Sequence, residues 1–270
     1  MFMALWKAFS EKSRVASLAA ASVLLSATIA AAGASTPTPA SDVPIPPGVP
    51  IEQNSPPLQT LQTPSGDASV AAVIATPLTP KPVTSITLGT GAVLKTGELL
   101  IADVMTYDGS ALSIEVPSGW QLIRDDVSPT TRQSLYVHVA DSDDQPSEWK
   151  FNQAAIAQGA LVILDNAATF DPVDTSSGMT GSKDATNAPA ITTADDGDLI
   201  LVFYATDFGF IDPGPTVPQT MIAVANQNTD THAYWILGSY QPQRGDLPDA
   251  DSPSPQLYNV AAAQVAIRRR

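Results

Sequence analysis

Gly97-Glu98-Leu99-Leu100-Ile101-Ala102 recurs 100 residues later as Gly197-Asp198-Leu199-Ile200-Leu201-Val202. Each copy is a Gly–acid turn feeding an unbroken apolar run. A short apolar run bounded by turn residues is the pattern of a buried strand. The echo continues downstream. Val116-Pro117-Ser118-Gly119-Trp120 delivers a large residue into the next strand, and Val217-Pro218-Gln219-Thr220-Met221 does the same with its proline 101 residues on. Ser134–Val139 then corresponds loosely to His232–Leu237. Three elements in the same order predict two pseudo-equivalent halves. We expect each half to supply strands to both sheets of one β-sandwich.

The rest of the chain from Val83 reads as β. Leu135, Val137 and Val139 alternate with Tyr136 and His138, and Trp149 and Phe151 flank Lys150. This is the period-2 pattern of half-buried strands. Leu161–Leu164, Leu199–Tyr204, Tyr234–Leu237 and Gln264–Ile267 are short apolar runs closed by Gly, Asp or Pro. After residue 40 no stretch carries a helical stripe. The fold class expected is all-β, an antiparallel, jelly-roll-like sandwich preceded by a hydrophobic N-terminal helix and a proline-rich linker.

Composition narrows the functions. The 270 residues contain no cysteine, which excludes a disulfide framework, a thiolate metal site, a cysteine nucleophile and a lipobox. A formal charge of −14 argues against nucleic acid as a partner, because neutralising phosphates needs clustered Lys and Arg. The one basic cluster, Arg268-Arg269-Arg270, reads as a solubilising or processed tail.

Three segments follow along the chain. Residues 1–34 have the form of an export signal: Lys7, Lys12 and Arg14 precede an uncharged stretch from Val15 to Ala32, and Ala32-Gly33-Ala34 fits a small-x-small cleavage site. A retained anchor through residues 15–32 is the alternative, and it is the only membrane contact the sequence offers. Residues 35–82 hold 12 of the 24 prolines and read as an extended, Pro/Thr/Ser-rich linker. Ser69–Thr76 is an exception with the look of a first strand. Residues 83–270 form the sandwich domain.

The Gly97–Ala102 opening, the Pro117-Ser118-Gly119-Trp120 turn, the Gly197–Ile200 restart and the ending Ala262–Ile267 together resemble β-sandwich modules of bacterial exported surface proteins and of phage virion or tail proteins. The resemblance spans about residues 83–267. It implies a jelly-roll-like or Ig-like scaffold for display, adhesion or assembly, and it carries no catalytic motif.

Candidate chemistry is sparse. His138 and His232 sit in or beside strands, outside any nucleophile elbow, and read as surface or hydrogen-bonded interior residues. Asp125-Asp126, Asp141–Asp144, Asp195-Asp196 and Asp207 fall at expected turns, where Asp caps backbone. Asp141, Asp143 and Asp144 could supply clustered oxygens to calcium, although the EF-hand glycine and terminal glutamate are missing. Trp120 reads as a core anchor and Trp149 as a partner of Phe151 on a buried face. Of the neighbours Tyr234 and Trp235, one is expected to face outward. Trp235, Tyr240 and Asp207 are therefore the candidate ligand contacts, beside two exposed loops, Asp207–Pro218 and Tyr240–Pro255.

The expectation is thus a non-enzymatic structural or adhesion module on a flexible stalk, exported to the cell surface or carried on a virion. It would bind assembly partners or surface glycans and could form a homo-oligomer. A carbohydrate-binding module, with or without calcium, is the alternative, and no other cofactor is implied.

Overall fold

A computed structural model describes residues 58–107, 112–141, 146–181, 187–207, 221–228, 232–250 and 260–270. The chain divides at Pro50 into two units, of which the first lies outside the described residues. The expected export signal and residues 35–57 of the expected linker therefore lie outside them too. Among the described residues no helix is long and apolar enough to cross a membrane.

Among the described residues every regular element is a strand. The first half comprises β1 (Ser69–Thr76), β2 (Val83–Leu88), β3 (Leu99–Thr106), β4 (Ile114–Glu115), β5 (Gln121–Val127), β6 (Arg132–Val139), β7 (Ser147–Ala155) and β8 (Ala157–Asp165). The second comprises β9 (Val173–Gly181), β10 (Ile191–Thr193), β11 (Asp198–Asp207), β12 (Ile222–Asn228), β13 (His232–Gln241), β14 (Gly245–Leu247) and β15 (Val260–Ile267). All pairings are antiparallel.

Two five-stranded sheets carry the fold, in the orders β1-β8-β3-β6-β5 and β9-β15-β11-β13-β12. These orders are the same when each strand is replaced by its counterpart in the other half. The small sheets match as well: β2-β7-β4 belongs to the first half and β10-β14 to the second. Even the irregularities repeat. The bulge between Leu122 and Arg124 has its twin between Ala223 and Ala225, and the register shift after Val70 has its twin around Val173. The ladders put Val139 opposite Leu99 and Tyr240 opposite Leu199, so Gln133–Val139 correspond to Tyr234–Tyr240. That corrects the looser alignment of Ser134 with His232 by three residues.

The sequence led us to expect each half to supply strands to both sheets; instead each half builds its own large sheet, and the two sheets pack face to face. Leu99, Ile101, Leu135 and Val162 of one large sheet meet Leu201, Phe203, Ile236 and Val265 of the other in a central core. The outer faces are covered too. Leu100, Ala102 and Val104 pack under Trp149 and Phe151 of β7, and Ile200, Val202 and Trp235 pack with Ile191 and Leu247. Two-sided burial is why β3, β8, β11 and β15 are apolar without alternation, whereas β7, covered on one face, alternates. β5 abuts β9, and β12 abuts β1, the reciprocal contacts that an internal two-fold axis requires.

The repeated glycines have a common cause. Gly97 and Gly197 adopt φ of +87° and +84°, a left-handed conformation that side chains resist. The folded unit also begins upstream of Val83. β1 occupies the stretch singled out within the linker, and Leu61 packs against the central core. Pro64, Pro77 and Pro80 flank β1 without interrupting its ladder.

The arginine run is built into the fold. Ala168 N–H donates to the Arg268 carbonyl, and Arg270 N–H donates to the Asn166 carbonyl, so the run pairs with the connection between the halves. Arg268 reaches Asp171 and Asp195 at 2.7 Å and Asp174 at 2.9 Å. Arg269 donates to Asp67 at 2.9 Å, in the first half. These carboxylates lie far apart in sequence, which is why the run read as a tail.

Candidate functional site

A surface recess lies at the seam between the halves, where β5 and β6 face the connection leading into β9. It is an open groove of about 680 Å³. Leu122 and Ile123 form one wall, Val137 and His138 the floor, and Phe170 with Ser176 the opposite side. Leu122 is 57 % exposed and Phe170 is 90 % exposed. Two large apolar side chains at the lips of one groove mark a surface built for contact.

Local sequence explains the shape. The bulge at Ile123 twists β5 within its ladder to β6. Phe170 stands in the Asn166–Pro172 connection, whose Asn166 and Asp171 adopt φ of +57° and +47°. The groove is firmly backed. His138 Nδ1 lies 3.0 Å from the Gly119 carbonyl oxygen, and its ring rests 5.2 Å from the Trp120 indole. Trp120 donates from Nε1 to Ser147 Oγ at 3.1 Å and meets Trp149 edge-on at 5.3 Å. Trp120 is thus partly buried against the outer core of the first half. Beyond Ser176, Arg124 grips Asp126 with two hydrogen bonds over Gly178, joining β5 to β9.

The residues singled out from sequence do not come together. Trp235 is 1 % exposed, inside the outer core of the second half, so it offers no stacking face. Tyr234 is buried in the central core; neither neighbour faces outward. Tyr240 donates its hydroxyl to Asp67. That bond, followed by the one from Arg269, holds the Asp67 carboxyl below its ordinary range. Asp207 closes β11 opposite His232, at the far end of the strand from Tyr240, roughly 30 Å away at strand rise; its side chain lies outside the described residues. Asp141 is exposed just after β6, and Asp143 and Asp144 lie outside the described residues. Among the described residues no three His, Asp or Glu side chains are grouped to hold a metal.

Other expected turns prove structured. Asp125 and Asp126 lie within β5, where Arg132 and Ser134 bind Asp125. Part of the expected Tyr240–Pro255 loop is strand, since β14 pairs with β10 and Ala250 bridges Ala188. Residues 208–218 of the other loop lie outside the described residues. His232 packs edge-on to Tyr107 at 4.4 Å between ring centroids.

One buried acid was not singled out. Asp103 on β3 is fully buried in the central layer and accepts hydrogen bonds from Gln133 Nε2 and Tyr234 Oη, each at 3.0 Å. Burial pushes its carboxyl up to about 7. Gln133 and Tyr234 are counterparts in the two halves, so the acid sits on the internal axis and links them. Phe203 is its own counterpart. Asp198 is also fully buried, and its carboxyl is pushed up by burial and by the neighbouring Asp174. Both acids serve packing layers closed to substrate.

No family model, curated protein or solved structure matches this chain.

Proposed function

We propose that this protein is a non-enzymatic assembly or adhesion module, exported to a cell surface or borne on a virion. In this reading it consists of two fused jelly-roll units. The strand order β1-β8-β3-β6 opposite β2-β7-β4, repeated as β9-β15-β11-β13 opposite β10-β14, supports that description. The N-terminal segment supports export, and the prolines after it fit a spacer.

The observation that carries the functional reading is the seam groove, with Leu122 and Phe170 exposed beside buried Val137 and half-buried His138. Such a recess suits contact with another molecule through apolar surface. Of the polar residues in its lining, His138 turns Nδ1 to the Gly119 carbonyl and Asp171 is paired with Arg268, while the most perturbed carboxyls, Asp103 and Asp198, are not part of the lining. The test is affinity capture with the full chain as bait against surface polymers and proteins of its source, with Leu122→Asp as the paired bait. Capture lost in the variant supports the reading. A hydrolytic activity on captured material, unaffected by Leu122→Asp, would overturn it.

A further inference from the structure

The seam groove has a twin in the second half, and the twin is filled. By the register of the ladders, Leu122, Ile123 and Val137 correspond to Ala223, Val224 and Gly238. Over those three residues runs the segment Gln59–Leu61. Gln59 N–H donates to the Ala223 carbonyl at 3.0 Å. Leu61 packs beside Val224 and over Gly238, its Cδ2 3.2 Å from where a Gly238 Cβ would stand. Ala223 itself is 2 % exposed, within the outer core of the second half, where its counterpart Leu122 is 57 % exposed.

Chain connectivity explains the difference. Leu61 stands nine residues before Val70, the second residue of β1, which corresponds to Val173 of β9. Nine residues before Val173 is Leu164, and Leu164 is committed to β8. Among the described residues the second repeat therefore has no segment placed to cover the first half's groove.

We infer that the seam groove docks an extended segment of a partner protein with the chemistry of Gln59–Leu61. That segment donates a backbone N–H to the Leu122 carbonyl and, two residues on, lays an aliphatic side chain between Ile123, Val137 and Phe170. This is strand addition at the β5 edge, with the side chain giving specificity. Val137 in place of Gly238 makes the floor shallower, so the aliphatic group sits higher and meets the exposed lips, Leu122 and Phe170. A second copy of this chain is not the occupant, because its own Gln59–Leu61 is engaged in its own groove. Net charge of −14 also sets copies against one another and favours a segment low in acidic residues. The inference rests on the reading of the protein as a binding module and names the partner's chemistry at that same site.

The test uses the full chain and a capped synthetic peptide, Leu-Gln-Thr-Leu-Gln-Thr-Pro, the sequence of residues 58–64. Amide shifts are followed by NMR during titration into the millimolar range, where a segment freed from its tether is expected to bind. The expected result is a saturable shift at Leu122, Ile123, Val137 and Phe170. It is lost in Leu122→Asp and weakened about tenfold when the second peptide leucine is alanine. Absence of shifts, or shifts confined to Ala223 and Gly238, overturns the inference, the latter because the peptide then only competes for the filled twin. Concentration-dependent self-association of the full chain with these four residues at the interface also overturns it, assigning the groove to a second copy. Capture of a partner that survives Leu122→Asp would leave a binding function standing while this site fails.

Discussion

The two halves share strand order, bulges and opening turns, yet they differ wherever a polar group or a free edge must be satisfied. One groove is covered by Gln59–Leu61 and the other is open. One half contributes Asp103 to the central layer, where the other contributes Phe203. One opening acid, Glu98, is neutralised by its neighbour Lys95, and the other, Asp198, is buried beside Asp174 and depends on Arg268. Scaffold is what the repeats have in common. Individual character lies in these asymmetric positions, and each can be broken separately.

Asp103 against Phe203 gives the largest expected effect. A carboxyl raised from its ordinary value to about 7 binds its proton more tightly in the folded state than in the unfolded one. Its stabilising contribution is fully present below about pH 4 and declines as pH rises through 7. The window corresponds to an energy on the order of 4 kcal/mol. Asp103→Asn removes this titration while retaining an acceptor for Gln133 and Tyr234. Urea denaturation at pH 4.5 and pH 8 should show the variant gaining on the parent by up to that amount at the higher pH. Parallel pH profiles for the two proteins would show that Asp103 does not titrate with folding.

Next in size is the Arg268 cluster. Asp174 and Asp198 are buried together, and Arg268 supplies the facing charge while reaching Asp171 and Asp195. Removing one partner from a buried ionic cluster leaves uncompensated charge. Arg268→Ala is expected to cost about 3 kcal/mol, near the lower end for such losses because the guanidinium keeps some solvent contact. Thermal melts should find the loss smaller at pH 5 than at pH 8, since Asp198, its carboxyl pushed up to about 7 by burial, is protonated at the lower pH and adds no charge to the cluster. A loss below about 0.5 kcal/mol at both pH values would return the arginine run to the status of a tail.

The grooves themselves make a third contrast. Leu61→Ala should destabilise by about 2 kcal/mol, because it uncovers Gly238 and Val224. Leu122→Ala and Phe170→Ala, at the open twin, should each change stability by less than about 0.5 kcal/mol while weakening partner binding. Hydrogen exchange at the β12 edge should rise in the first variant and stay unchanged in the other two. Equal destabilisation by Leu61→Ala and Leu122→Ala would mean that the two grooves are alike.

Sequence revealed the strands more readily than their assembly. The Gly97 and Gly197 turns, the alternation in β6 and β7 and the apolar runs of β3, β8, β11 and β15 are local signals with local causes. Which sheet a strand joins is not local. A run buried on both faces looks the same in a shared sheet as in a stack of four layers. The same oversight misplaced Trp235: adjacent residues on a strand do face opposite sides, but here both sides are covered. Ser69–Thr76 stood out as a strand, but the proline count set the start of the domain at Val83 and concealed Leu61, because prolines beside an edge strand leave its ladder intact. Phe170 carried only a weak signal, a lone aromatic between Thr169 and Asp171-Pro172 in a connection. The groove depends on a register equivalence that appears only once the ladders are paired.

The smallest expected effect falls on the opening motif, in the comparison of Glu98 with Asp198. Glu98 Oε2 accepts from the Lys95 backbone N–H at 2.7 Å, and Lys95 Nζ lies 3.3 Å from Oε1. The backbone bond satisfies the carboxylate by itself, and the Lys95 ammonium is largely exposed, with a side chain 73 % accessible. An exposed partner in high dielectric adds little. Lys95→Met should therefore cost less than about 0.5 kcal/mol, in contrast to the larger loss for Arg268→Ala. Its effect should also fade as salt is raised, because a solvated charge is screened within about 8 Å at physiological ionic strength. A Lys95→Met loss as large as that of Arg268→Ala, and insensitive to salt, would mean that both opening acids need a facing cation and that the asymmetry between the halves stops short of their first turn.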